Sequence, residues 1–385
     1  MGSESSSAPS TIRSANAAGT IHGRGRKLRR WMVLTRTVSE RRRARRTTLS
    51  PGSLRPRRLM RALALSAGPR RPARTSLRLR RAGRSRAVDK IAAARRRCGG
   101  RRNRLMGKLE GRVALVTGAS RGIGESIAAR FAAESARVVC VARTLSEGDH
   151  QLEGSLERTV ATIREAGGEA EAVAANISEV DECRRVVAEA EQAFGPVDVL
   201  VNNAAANYFA PVAEIPERRW LRVFAVNVHA PFLLAQGVLP GMIERGRGAI
   251  VNIGSGGAIG PGRGPYPTVA EGRAVLYGST KAALERFTQG LAEEVERHGI
   301  AVSCVSPSEP VRTPGALFHL EVSGMGDKGA PVDYMVESAL LLATEPLEEV
   351  SGLVTYDQRL LTQYGLLDDA KGTGVTSPGS GYSDS

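Results

Sequence analysis

From Arg112 to Tyr356, short runs of β-branched and apolar residues alternate with longer stretches of helical periodicity, and that alternation decides the fold class. The runs are Val113–Val116, Ala136–Val141, Glu171–Ala174, Val197–Val201, Ala249–Ile253, Ala301–Val305 and Leu353–Tyr356. Amphipathic stretches such as Ile123–Ser135 and Glu182–Phe194 lie between them. Strands and helices in strict alternation read as βαβ units on a parallel sheet. Seven of them predict a single α/β domain with a doubly wound, mostly parallel seven-stranded sheet, its ligand crevice at the carboxyl ends of the strands.

Charge sets the first part of the chain apart from this domain. Residues 1–105 hold 31 of the 55 basic residues and three of the 39 acids, a balance of 31 − 3 = +28. The remaining 24 bases and 36 acids give 24 − 36 = −12, so the overall charge of +16 describes neither piece. The basic segment has Trp31 as its one aromatic residue and breaks its apolar clusters with runs such as Arg41-Arg42-Arg43-Ala44-Arg45-Arg46. Such a sequence buries too little apolar surface to offset its ordering entropy, and disorder is expected. A polybasic arm neutralises nucleic-acid phosphates, yet this one lacks the interleaved aromatics that stack bases, so nucleic acid is not the expected partner. Its Arg- and Ser-rich, acid-poor composition also suits an organelle transit peptide, but it lacks a sustained amphipathic pattern. With 49 Arg against six Lys, the chain has the composition of a GC-rich coding sequence, and Met106, just before the first strand, is the expected start of the working protein. The expected division is a basic segment at 1–105, a cofactor-binding domain at 106–365 and a flexible Gly-, Ser- and Asp-rich tail at 366–385.

Cys98, Cys140, Cys183 and Cys304 stand without Cys-x-x-Cys spacing, so neither a disulfide framework nor a metal site is expected, and a reducing compartment is. No uninterrupted apolar run approaches the roughly 18 residues of a membrane span, and the N-terminus has no secretory h-region. A cytoplasmic protein with no membrane partner is expected.

The first strand runs into Thr117-Gly118-Ala119-Ser120-Arg121-Gly122-Ile123-Gly124. Gly118 permits a tight turn, Gly122 a close approach of pyrophosphate to the backbone, and Gly124 close packing of helix on strand; the amides at the helix start then face the phosphates. The second strand ends in Cys140-Val141-Ala142-Arg143-Thr144, with an Arg where an acid would accept from a ribose 2′-hydroxyl. Arg121 is a second cation for a 2′-phosphate, so NADP(H) is expected over NAD(H).

Tyr277-Gly278-Ser279-Thr280-Lys281 places a phenol and an ammonium on one helix face. A neighbouring cation eases loss of a phenol's proton, which suits Tyr277 to acid–base work. Upstream, Ala249-Ile250-Val251-Asn252-Ile253-Gly254-Ser255 reads as a buried strand ending in a hydroxyl able to hydrogen-bond a carbonyl oxygen.

With these motifs in one chain, residues 109–357 resemble the short-chain dehydrogenase/reductase family, whose Rossmann-type fold the alternation matches. The resemblance implies cofactor contacts at Gly118, Ser120, Arg121, Gly122, Ile123, Gly124 and Arg143, and at Asn203 within Asn202-Asn203-Ala204-Ala205. It implies a catalytic set of Asn227, Ser255, Tyr277 and Lys281, with Asn227 holding a water of the proton relay and Tyr277 and Lys281 also touching the cofactor. Thr313 matches a position that contacts the nicotinamide carboxamide. Relatives commonly associate as homodimers or homotetramers through the helices after Trp220 and Tyr277. The stretch Thr144–Thr159 resembles the hydroxysteroid dehydrogenase-like branch.

Departures from the family pattern are local. Asn176 stands where an Asp usually touches the adenine, Ala205 replaces a Gly, and Ser306-Pro307-Ser308-Glu309-Pro310 replaces a Pro-Gly turn. The last strand lacks a glycine-rich ending. Ser255 and Tyr277 are 277 − 255 = 22 positions apart, longer than usual, so Gly256–Leu276 reads as an extra loop carrying Tyr266, a rival proton donor that lacks a Lys at helical spacing. Tyr208, Phe209, Leu317 and Phe318 predict a pocket for a medium-sized apolar carbonyl compound or alcohol. The competing expectations are a catalytically silent NADP-binding sensor or scaffold of the same fold, and an enzyme carried to nucleic acid by its basic arm.

Overall fold

The computed structural model describes residues 107–260, 274–317 and 329–376. The expected basic segment, the centre of the extra loop with Tyr266, and Phe318 lie outside the described residues.

All seven expected strands form: β1 (Val113–Thr117), β2 (Arg137–Ala142), β3 (Glu169–Ala174), β4 (Val199–Asn202), β5 (Gly248–Ile253), β6 (Ile300–Ser306) and β7 (Val354–Tyr356). They make one sheet in the order β3-β2-β1-β4-β5-β6-β7, with every neighbouring pair parallel. The sheet is therefore wholly rather than mostly parallel. β3 is an edge strand whose Glu169 and Glu171 are exposed, which is why an apolar pattern shows only its second half.

Helices cover both faces. On one, α1 (Gly122–Ala133) and α2 (Leu156–Glu165) pack with two C-terminal helices, α7 (Asp333–Thr344) and α8 (Asp357–Gln363), burying Ile127, Phe131, Val160, Met335, Leu340 and Leu360. On the other, α3 (Val180–Phe194), α5 (Ala230–Arg245) and α6 (Val275–Val295) bury Val186, Leu234, Met242 and Leu291. This two-sided cover is what lets the strands be apolar on both faces.

A short helix, α4 (Glu217–Phe224), continues through a π turn (Ala225–His229) into α5. Together they make the one described helix long and apolar enough to cross a membrane. The sequence expectation of no such span is thereby qualified, because charged residues at the ends and prolines within interrupt its apolar run. Val223, Ala230, Leu234 and Val238 are buried in the protein, whereas Leu221, Phe232 and Ile243 are exposed. That is the two-faced pattern of a helix on a sheet.

The packed body runs past the expected boundary at 365. Leu366 donates its N–H to Leu361 O at 2.8 Å, Leu367 is buried, and Thr373 donates its N–H to Ser308 O at 2.9 Å. Residues 366–376 thus belong to the domain, and 377–385 lie outside the described residues.

Asp198 holds the lower end of the sheet. Its Oδ2 accepts the Val113 N–H at 3.1 Å, and its Oδ1 faces Arg245 Nε at 3.4 Å and Arg247 Nε at 3.3 Å. Asp198→Ala is expected to cost about 2–4 kcal/mol by stranding a buried amide and a half-buried guanidinium. A lower urea midpoint at unchanged slope checks this, and an unshifted midpoint contradicts it.

Candidate active site

The turn after β1 is held by the side chains of Thr117, at the end of β1, and Asn203, from the other half of the sheet. Thr117 Oγ1 donates to Val201 O at 3.1 Å and accepts the N–H groups of Asn203 and Ala204 at 3.0 and 3.1 Å. Asn203 Nδ2 donates to Thr117 O at 2.8 Å and Gly118 O at 3.3 Å. Gly118 and Gly122 have φ of +69° and +62°, in the left-handed region that favours glycine. A Cβ on Gly118 would stand 2.7 Å from Asn203 Nδ2, and one on Gly124 would collide with the same atom and the Gly118 carbonyl. Asn203, expected as a cofactor contact, lines the cleft and also braces the turn. The first amides of α1, at Gly122, Ile123 and Gly124, are those a helix leaves without intrahelical acceptors, the arrangement that receives phosphate.

A cleft of about 950 Å³ opens along the carboxyl ends of the strands. Gly118, Ser120, Arg121, Arg143, Asn176 and Asn203 line one part of it, and Ser255 and Tyr277 also face it. Arg121 donates from Nε to Glu153 O at 2.9 Å, and from Nη2 to Gly154 O, Leu152 O and Thr144 Oγ1 at 2.7, 3.2 and 3.3 Å. It pins the long β2–α2 connection onto the glycine turn, and burial lowers its pKa. Arg143 is exposed, its pKa lowered by partial burial and by Arg222. His150, on the same connection, is less basic than usual because of burial and the nearby Arg121 and Arg143. Asn176 Oδ1 accepts from Ser178 Oγ at 2.9 Å.

Farther along, Ser255 lies two residues past β5 and its Oγ accepts the Gly257 N–H at 3.2 Å. Tyr277 lies in the first turn of α6, edge-on to Phe209 with ring centroids 5.9 Å apart. A Cβ on Gly278 would stand 2.6 Å from the Gly257 carbonyl, so this glycine lets α6 reach the Ser255 turn. Lys281 is buried at 3% exposure; its Nζ donates to Ile253 O at 2.7 Å and lies 5.7 Å from the Tyr277 ring centroid.

Asn227 is buried on the π turn, a feature frequent at functional sites. Its Oδ1 accepts the Ala206 N–H at 2.8 Å, and its Nδ2 donates to Ala206 O and Thr280 Oγ1, both at 2.9 Å. The side chain thus ties the cleft wall at Ala206 to α6. Thr313 packs its Cβ against Gly122, and its Oγ1 accepts the Ala316 N–H at 3.1 Å.

Sequence reasoning missed Asp357 and Thr373. Asp357 Oδ1 accepts the N–H groups of Ser308 and Gln358 at 2.8 and 2.7 Å, fixing the turn that replaces Pro-Gly, and Thr373 reaches the cleft wall. An acid just after a strand carries no motif, which is why it escaped notice. Burial pushes the Asp357 carboxyl up despite those two bonds. With its folded pKa raised, the group contributes stability at low pH that is lost as pH rises out of the usual carboxylate range. Asp357→Asn keeps an acceptor for both amides, so its melting temperature should fall less than that of the wild type between pH 4 and 8. Parallel pH curves for the two proteins contradict this.

Fold and cleft define a doubly wound α/β protein whose glycine turn, Ser255 and Tyr277 line one cleft. A family model described as short chain dehydrogenase matches residues 112–316. A short chain dehydrogenase of Pseudocercospora fijiensis is 38% identical over 215 residues, which cover 55% of this chain and 64% of that protein. Dehydrogenase/reductase SDR family member 4 of Sus scrofa is 32% identical over 249 residues, 64% of this chain and 81% of that protein. Among solved structures, a metagenomic short-chain oxidoreductase in complex with NADP superposes with a TM-score of 0.51 at 33% identity, covering 63% of this chain and 95% of that one. A short chain dehydrogenase of Mycobacterium thermoresistibile gives 0.58 at 27%, covering 67% and 88%. The chain belongs to the short-chain dehydrogenase/reductase family, a family of NAD(P)-dependent oxidoreductases.

Proposed function

We propose that this chain interconverts a carbonyl compound and a secondary alcohol with NADP(H). The observation that carries the reading is that Ser255 and Tyr277 open onto the same cleft as the glycine turn, with Lys281 buried behind them. A glycine turn whose cradle a Cβ would fill fits a dinucleotide, which when bound supplies the hydride. In the reducing direction, Ser255 Oγ donates a hydrogen bond to the carbonyl oxygen and Tyr277 delivers the proton. Lys281 supplies the adjacent positive charge, and Asn227 holds the relay that returns a proton to Tyr277. Arg143 on the cleft, with no acid at the end of β2, supports NADP(H) over NAD(H). Asn203 shapes the turn, while Asn176 takes the adenine side and Thr313 the nicotinamide side.

Phe209, Val311 and Ala316 give the cleft wall an apolar character that suits a small apolar substrate. Exposed Leu221, Phe232 and Ile243, with Phe232 edge-on to Phe287 at 6.4 Å, suit a homodimer or homotetramer built on α4, α5 and α6. The free, buried Cys140, Cys183 and Cys304 suit the cytoplasm.

Tyr277→Phe should lower turnover by about 10²–10⁴-fold while leaving NADPH affinity unchanged, read by steady-state oxidation of NADPH and fluorescence titration. Retained turnover would move the proton donor elsewhere, to Tyr266 first. Cofactor binding without turnover in the wild type would favour the silent sensor.

A further inference from the structure

The two arginines of the cofactor reading behave differently. Arg121 is engaged by three carbonyls and a hydroxyl of the segment Thr144–Gly154, with Gly154 at φ +113° pressed onto the Ser120 carbonyl. Arg143 makes no hydrogen bond or ion pair among the described residues.

A third arginine faces the same place from another element. Arg219, Arg222, Val223 and Val226 line the cleft, spaced along α4 and the π turn as one helix face. Arg219 lies over the Tyr208 ring at 5.4 Å, whereas Arg222, like Arg143, makes no hydrogen bond or ion pair among the described residues. Arg143 and Arg222 together line a smaller recess of about 330 Å³ beside Asn176 and the end of β3. Glu182, the acid on that recess, is taken by Arg185 at 2.9 and 2.7 Å and by the Asn176 N–H at 3.4 Å. The two guanidinium groups are close enough that Arg222 lowers the pKa of Arg143. Two like charges converging on a concave site whose one carboxylate, Glu182, is already held by Arg185 raise each other's energy, and a doubly charged anion relieves both.

We propose that Arg222 is a specificity-determining residue for the cofactor, closing on the 2′-phosphate of NADP(H) opposite Arg143, while Arg121 serves as the pin of the β2–α2 connection. The inference rests on the NADP(H) reading above. It adds a residue from α4 that no glycine-turn or strand-end motif points to, and it takes the phosphate-pairing role away from Arg121.

Calorimetric titration of the full chain with NADPH, NADH and 2′,5′-ADP tests it directly, with no turnover needed. Arg222→Ala and Arg143→Ala should each weaken NADPH and 2′,5′-ADP by about tenfold or more and leave NADH within about twofold. Unchanged NADH affinity also shows that these variants fold. Arg121→Ala should weaken both dinucleotides alike, because the connection it pins comes loose. An NADPH-to-NADH preference in Arg222→Ala equal to that of the wild type overturns the role of Arg222. So does a selective loss of NADPH affinity confined to Arg121→Ala. Equal affinity of the wild type for the two dinucleotides overturns the NADP(H) reading itself.

Discussion

The hydroxyl of Thr117 joins the two halves of the sheet where the strand order turns, and the cofactor site depends on it. β1 has β2 on one side and β4 on the other, so the chain ends of both halves diverge above this point and leave a crevice. Thr117 Oγ1 spans the gap by bonding Val201 O and the amides of Asn203 and Ala204. With Asn203 Nδ2 on the carbonyls of Thr117 and Gly118, the turn is closed so tightly that Gly118 and Gly124 have no room for a side chain. The amides that open α1 are placed by this clamp.

A parallel logic governs the reacting end. The π turn lets Asn227 bond Ala206 on one side and Thr280 on the other, so one buried side chain sets the distance between the cleft wall and α6. The close approach of Gly278 to the Gly257 carbonyl sets the distance between α6 and the Ser255 turn. Lys281 is then held from beneath by the Ile253 carbonyl. One buried amide side chain and one glycine contact together bring Ser255 and Tyr277 onto one cleft.

Much of this was legible in the sequence, and the exceptions have physical reasons. All seven strands showed as apolar runs because a two-sided sheet demands them; the exposed edge of β3 hid its first two residues, and the apolar run before β4 starts two residues ahead of the strand. That Gly118, Ser255 and Tyr277 meet on one cleft follows from turn and helix spacing that the sequence displays. Bonds set by long-range contacts were not legible: Asn203 Nδ2 and the Nε and Nη2 of Arg121 also hold the protein's own carbonyls, which their positions beside the glycine turn do not reveal. Asp357 and Thr373 belong to the same class, since they reach the site only through the folding-back of the C-terminal segment over Ser308. The Gly- and Ser-rich composition of 366–385 suggested a flexible tail, whereas Thr373 in its described part pairs its backbone with that turn.

The central claim is that this cleft moves a hydride between a nicotinamide and a carbonyl carbon. The most direct test is to supply NADPH deuterated at the transferring C4 position with a panel of apolar ketones and to analyse the alcohols by mass spectrometry. The account predicts one deuterium on the carbinol carbon for each NADPH consumed. Tight binding of the cofactor with no deuterium in any product would contradict it.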